Sequence, residues 1–232
     1  MRRDVKGYKL SPQMENERPI RVVVGGVPLD GNLVIPKKAS GIVIFAHGSG
    51  SSRNSPRNRF VAGVLQQASL ATLLFDLLTA REESIDAVTA ELRFDIAFLA
   101  RRLVGVIDWS ISNKETQNLG VGCFGASTGA AAALVAAAER HENVKAVVSR
   151  GGRPDLAAAH LARVKAPVLL IVGSLDTQVI ELNRQAMESL HTVKELVLVP
   201  GATHLFEEQG TLPQVADLAA AWFSRYLAPR KS

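Results

Sequence analysis

Short, nearly unbroken apolar runs alternate with segments of helical spacing through most of this chain, and that alternation restricts its fold more than any other feature. Residues 41–46 (GIVIFA), 71–76 (ATLLFD), 119–124 (LGVGCF), 144–149 (VKAVVS), 168–173 (VLLIVG) and 195–199 (ELVLV) have the length and composition of strands. A strand with so few polar positions must be buried on both faces, as in a parallel sheet covered by helices. The intervening segments supply the helices. Phe60, Val61, Val64 and Leu65 recur at helical spacing in 58–69. Roughly 85–110 reads as helix with Leu92, Ile96, Leu99, Leu103 and Ile107 along one side, 128–140 is Ala-rich, and 180–190 and 212–227 complete the set. The expected class is α/β, a mostly parallel sheet with helices on both faces.

Upstream, 20–25 (IRVVVG) and 32–35 (NLVI) predict a hairpin around Gly25, Gly26, Asp30 and Gly31, with Asp-Gly as the tight-turn signal. Residues 1–19 are polar and read as an N-terminal arm, and 20–232 as one domain, a size that suits a single core. The stretch from Gly151 to Ala166 has room for one short helix, so little or no cap and an open pocket are expected.

Composition narrows the setting. The formal charge of +5 is spread along the chain, and nothing resembles a zinc finger, a basic arm or an RNA-binding aromatic pair, so no nucleic-acid partner is expected. Cys123 is the sole cysteine, which rules out an intrachain disulfide and suits a reducing compartment. The start lacks the apolar core of a signal peptide and no run reaches spanning length, so the expectation is a cytoplasmic protein without a membrane partner.

The chemistry concentrates in Gly125-Ala126-Ser127-Thr128-Gly129, a G-x-S-x-G set between strand VGCF and helix AAAALVAAA. A sharp strand-to-helix turn lifts a serine hydroxyl above the sheet, and the free N–H groups of the following helix face developing negative charge. Cys123 is the rival nucleophile, placed inside the strand where cysteine commonly serves as a small apolar residue. A serine needs a base with a carboxylate behind it. His204 follows strand ELVLV in the loop PGATH, whereas His141, His160 and His191 lie in surface or cap settings, and His47, also at a strand end, has neighbours that suit backbone donation better than base work. Asp176 follows VLLIVG and gives the chain order Ser, Asp, His; helix capping is its other use, and Asp76 is the second choice of acid. Backbone N–H groups of Thr128 and of Ser49, in His47-Gly48-Ser49-Gly50, are the expected oxyanion donors. Arg53, Arg57 and Arg59 follow that loop, and Arg150 and Arg153 follow strand 144–149. Two uses are open to Arg53, Arg57 and Arg153: attracting a carboxylate-bearing substrate, or pairing within the chain.

Taken together, HGSGSS, GASTG, GSLDTQV and PGATHLF, in that order over roughly residues 20–228, resemble the α/β-hydrolase superfamily, especially its dienelactone hydrolase-like branch. The resemblance implies an eight-stranded sheet whose second strand is antiparallel, no cofactor, the triad Ser127, Asp176 and His204, and oxyanion donors at Ser49 and Thr128. One departure stands out: dienelactone hydrolases proper carry cysteine at the elbow, where this chain has Ser127. The segment SRGGRPDLA resembles relatives that in some cases are joined to a phosphoribosyltransferase-like domain, which would not make this chain a transferase. The leading expectation is a serine hydrolase acting on a small ester or thioester through an acyl-enzyme. Amidase, peptidase or acyltransferase chemistry on the same triad is the first alternative, and a non-enzymatic binding protein on the same scaffold is the second.

Overall fold

The structure, a computed structural model, describes residues 17–227. The apolar runs become strands β3 (Gly41–Ala46), β4 (Ala71–Phe75), β5 (Gly120–Ala126), β6 (Val144–Arg150), β7 (Val168–Gly173) and β8 (Lys194–Val199), preceded by β1 (Arg18–Val24) and β2 (Val27–Val34). All join one eight-stranded sheet in the order β1-β2-β4-β3-β5-β6-β7-β8. Only β2 opposes the rest: it pairs antiparallel with β1 and β4, and every other pairing is parallel. β3, β4 and β7 are buried from end to end, which is why their sequences carry almost no polar residue.

Seven α-helices are seen among the described residues: α1 (Pro56–Gln67), α2 (Ala80–Thr89), α3 (Ile96–Ser112), α4 (Thr128–Glu139), α5 (Ala158–Leu161), α6 (Thr177–Ser189) and α7 (Thr211–Leu227). α1 and α7 cover one face of the sheet over Val43, Phe45, Phe124, Val148 and Ile171. α3, α4 and α6 cover the other over Ile44, Leu73, Cys123, Val147 and Leu170. The alanines of α4 are buried throughout, and their small side chains let the helix approach the sheet closely.

Three sequence expectations need correction. The hairpin turns at Gly25-Gly26, both with positive φ (56° and 82°), and Asp30-Gly31 lies inside β2, where Asp30 pairs with Arg21. Two left-handed residues match the twist of the flanking strands, and glycine adopts them freely. The helix read over 85–110 is two helices. Ala90 ends α2 in the left-handed region, a 3₁₀ turn (Leu92–Phe94) follows, and the Asp95 carboxylate accepts the Phe98 N–H to start α3. The polar arm placed at 1–19 falls mostly outside the described residues, and Arg18 and Pro19 already belong to β1.

Because β3 to β8 run in one direction, their C-terminal ends open onto a single edge. Loops after β3, β4, β5, β6, β7 and β8 therefore meet there, the usual location of a site in such sheets.

Candidate active site

β5 passes into α4 through Ser127, whose backbone (φ 51°, ψ −121°) lies in a region that non-glycine residues rarely occupy. Its N–H donates to the Arg150 carbonyl at 3.2 Å, and its carbonyl accepts from Ala130 and Arg153. The flanking glycines are required by contact. A methyl on Gly125 would stand 2.3 Å from Ala130 Cα, and one on Gly129 would stand 2.2 Å from the Ala46 carbonyl oxygen. The strand can turn so sharply only because both side chains are missing.

Ser127 occupies the N-cap position of α4, yet its side chain makes no capping hydrogen bond. Asp176 occupies the N-cap of α6 and makes none either. Serine and aspartate are favoured at that position because capping contributes about 1 kcal/mol. Here both withhold it. The Asp176 carboxylate instead accepts from His204 Nδ1 at 2.7 Å, with the Asp176 side chain 15% exposed and that of His204 38%. A hydrogen bond from Nδ1 leaves Nε2 as the basic nitrogen. The imidazole packs over Gly151, where an added methyl would lie 3.5 Å from its Nδ1 and Cε1. Gly151 directly follows Arg150, whose carbonyl holds Ser127. The Arg150-Gly151 segment thus touches both sides, holding Ser127 through the Arg150 carbonyl and lying against His204 through Gly151.

On the opposite flank, Gly48 abuts Ser127: a methyl there would be 3.1 Å from Ser127 Cβ. Ser49 Oγ lies 3.1 Å from Thr128 Oγ1, so the two residues named as oxyanion donors are adjacent. Among the described residues, neither backbone N–H has an acceptor within the fold. His47 fixes this loop. Its Nδ1 donates to the Gly48 carbonyl at 3.0 Å and its Nε2 accepts the Leu77 N–H at 3.0 Å. Burial holds its pKa below 6.5, against smaller upward pulls from that backbone bond and from Asp76 and Glu83. Asp76, the second choice of acid, faces this loop instead of His204; it accepts the Arg53 N–H at 2.7 Å and pairs with the Arg53 guanidinium. Cys123 is fully buried, and burial pushes its thiol up to about 12, which leaves no thiolate for attack.

The arginines at the mouth are paired within the chain: Arg53 with Asp76, Arg57 with Glu207 at 3.0 Å, Arg153 with Asp155 at 2.7 Å and Arg59 with Glu17 at 2.9 Å. Arg150 differs. It is 8% exposed, its Nη1 is buried with no hydrogen-bond partner, and burial together with Arg57 lowers its pKa to about 10.

The sequence profile described as the Dienelactone hydrolase family matches residues 29–227. The chain belongs to the dienelactone hydrolase family. Its eight-stranded, mostly parallel sheet with helices on both faces is an α/β-hydrolase fold. Among solved relatives of the family, a dienelactone hydrolase from Anabaena variabilis is 65% identical, covering 91% of this chain and 98% of that one, with a TM-score of 0.90. Est1E from Butyrivibrio proteoclasticus (16% identical, TM-score 0.74, covering 89% of this chain and 98% of its own) and a Pyrococcus furiosus esterase (17%, 0.74, covering 98% and 99%) share the fold. Two Mycobacterium tuberculosis proteins provisionally named phosphoribosyl transferases are 56% identical over 216 residues, 93% of this chain. The chain spans about half the length of these relatives, 48%.

As expected, the described residues carry no large cap, and the small cover the site has lies outside the segment 151–166. The segment 151–166 is as short as expected, holding a 3₁₀ turn (Pro154–Ala157) and α5. Cover comes instead from α2 and the following 3₁₀ turn. Asp86 accepts from the Leu92 and Arg93 N–H groups and from Arg93 Nε, and Ser49 Oγ donates to the Arg93 carbonyl at 3.3 Å. Thr79 and Glu82 cap α2 reciprocally, a T-x-x-E signal visible in the sequence. Beneath this cover lies a cavity of about 250 Å³, with Gly48, Ser49 and Thr128 in its wall. No helix among the described residues is long and apolar enough to cross a membrane.

Proposed function

We propose that the chain cleaves carboxylic esters or thioesters through an acyl-enzyme formed on Ser127. The observation that carries this reading is that two good capping side chains, Ser127 and Asp176, both forgo capping while the second holds His204. In the proposed cycle His204 Nε2 takes the Ser127 proton as Oγ attacks the carbonyl carbon. Asp176 fixes the imidazole tautomer and stabilises the imidazolium. The carbonyl oxygen, now negative, receives hydrogen bonds from the Ser49 and Thr128 N–H groups. Collapse expels the leaving group, which takes the proton from His204. Water, deprotonated by the same nitrogen, then releases the acid and restores Ser127.

The name of the Anabaena relative supports ester-bond cleavage, since a lactone is an internal ester; the serine at this chain's elbow argues for other esters. The transferase name attached to relatives twice as long is not carried over. The 216 residues shared with them overlap most of the region, 29–227, matched by the hydrolase family. Arg53 and Arg153 are assigned to holding the rim, through their pairs with Asp76 and Asp155.

The test is labelling with a fluorophosphonate followed by intact mass, on the parent, Ser127→Ala and Cys123→Ala. One adduct on the parent and on C123A, absent from S127A, is the expected result. An adduct that persists in S127A would remove the assignment of the nucleophile.

A further inference from the structure

The cavity beside the elbow lies on one particular side of Ser127. Its wall comes from the loops after β3 and β4, from α2 and from α3, together with Thr128. His204 and Asp176 come from the loops after β7 and β8. In the sheet order, β5 separates the two groups, with β4 and β3 on one side and β6, β7 and β8 on the other. This fixes the orientation of a bound ester, given the acyl-enzyme reading above. The carbonyl oxygen must reach Ser49 and Thr128, and the leaving group must turn toward His204 to receive its proton. The acyl chain then points away from His204, into the cavity.

Size and charge decide what fits. At about 250 Å³ the cavity falls below the roughly 300–1,000 Å³ of pockets for drug-sized ligands. Leu77 and Leu99, both almost fully buried, form its apolar part. Its ionic groups are largely matched internally: Asp76 by Arg53, and Asp86 by Arg93. Glu83 of α2 also lines it and has no ion-pair partner among the described residues. An entering carboxylate would meet this unmatched negative charge and find no free cation. A basic chain with arginines around its mouth thus encloses a pocket that is unreceptive to anions.

We propose that this cavity is the acyl pocket and that it selects short, uncharged acyl groups. Glu83 and Leu99 are its specificity-determining residues, one setting charge and the other depth.

The experiment compares p-nitrophenyl acetate, butyrate, hexanoate and decanoate, and mono-p-nitrophenyl succinate against p-nitrophenyl butyrate, on the parent, Leu99→Ala and Glu83→Gln. For the parent, kcat/KM should fall at least about tenfold from butyrate to decanoate and favour butyrate over the succinate ester by about tenfold. Leu99→Ala should shift the preference toward hexanoate or decanoate by about threefold or more. Glu83→Gln, on an exposed stretch of α2, should narrow the butyrate-to-succinate ratio severalfold while leaving the chain-length profile in place. A flat or rising chain-length profile, or a preference for the succinate ester, overturns the pocket assignment while leaving the triad standing. No turnover of any ester, together with no fluorophosphonate adduct, removes both.

Discussion

The loops after β3 and β8 each present a histidine at the same edge of the sheet, and the fold uses the two rings in opposite ways. His47 is 8% exposed and has both ring nitrogens engaged by backbone, Nδ1 with Gly48 and Nε2 with Leu77. His204 is more open and spends only Nδ1, on Asp176. A ring with both nitrogens satisfied by the fold is a brace, because any proton it gained would break a bond. A ring anchored at one nitrogen by a carboxylate keeps the other for exchange with a substrate. Residue type and strand-end position are the same in both cases. The partner at the second nitrogen makes the difference.

The sharpest way to break this comparison is to delete each ring and read activity and stability separately. His204→Ala should lower kcat by about 10³-fold or more, with Tm nearly unchanged, in ester hydrolysis and thermal unfolding of one preparation. Asp176→Asn keeps the shape but no longer favours the required tautomer, and should reduce kcat by about 10³- to 10⁴-fold. If either variant retained parental turnover, the assignment of the base would fall. His47→Ala should show the reverse pattern. It strands the Leu77 N–H at a cost of about 1–3 kcal/mol, which lowers Tm by about 3–10 °C, and its loss of kcat should stay far smaller than that of H204A.

The smallest effect is one of pH. The fold holds His47 neutral with a pKa below 6.5, so the folded state binds fewer protons there than the unfolded chain. Its contribution to stability is complete above 6.5 and is lost as pH falls from there through the lower folded value. Parent Tm should therefore decline more steeply below pH 6.5 than that of H47A, in melts across the range 5 to 8. Parallel slopes would show that the ring is not the brace described.

The signals behind the proposed triad are local. Each member stands within five residues of the end of an apolar strand run, and the glycines at 125 and 129 mark the bend. The family resemblance rested on the same short stretches. What escaped was set by contacts distant in sequence. Whether Arg57 faces substrate or protein depends on Glu207, 150 positions away, and the cover over the cavity is tied down by Ser49 reaching the Arg93 carbonyl. Neither pairing leaves a periodic trace. The hairpin turn and the break near Ala90 were different cases, since their signals were present. Gly25-Gly26 competed with Asp30-Gly31, and Thr79-x-x-Glu82 and Asp95 offered capping starts that the long apolar periodicity of 92–107 obscured.

The backbone of Ser127 has a consequence for how this chain can change over time. A side chain held at φ 51° and ψ −121° costs on the order of 1–3 kcal/mol, and glycine at the same place would not bear that cost. A Ser127→Gly chain should thus melt above the parent while turning over nothing. Random drift, left without selection on catalysis, would find the elbow one of the easiest places to gain robustness. On the proposed reading, the chemistry of its hydroxyl is what this strained position is kept for.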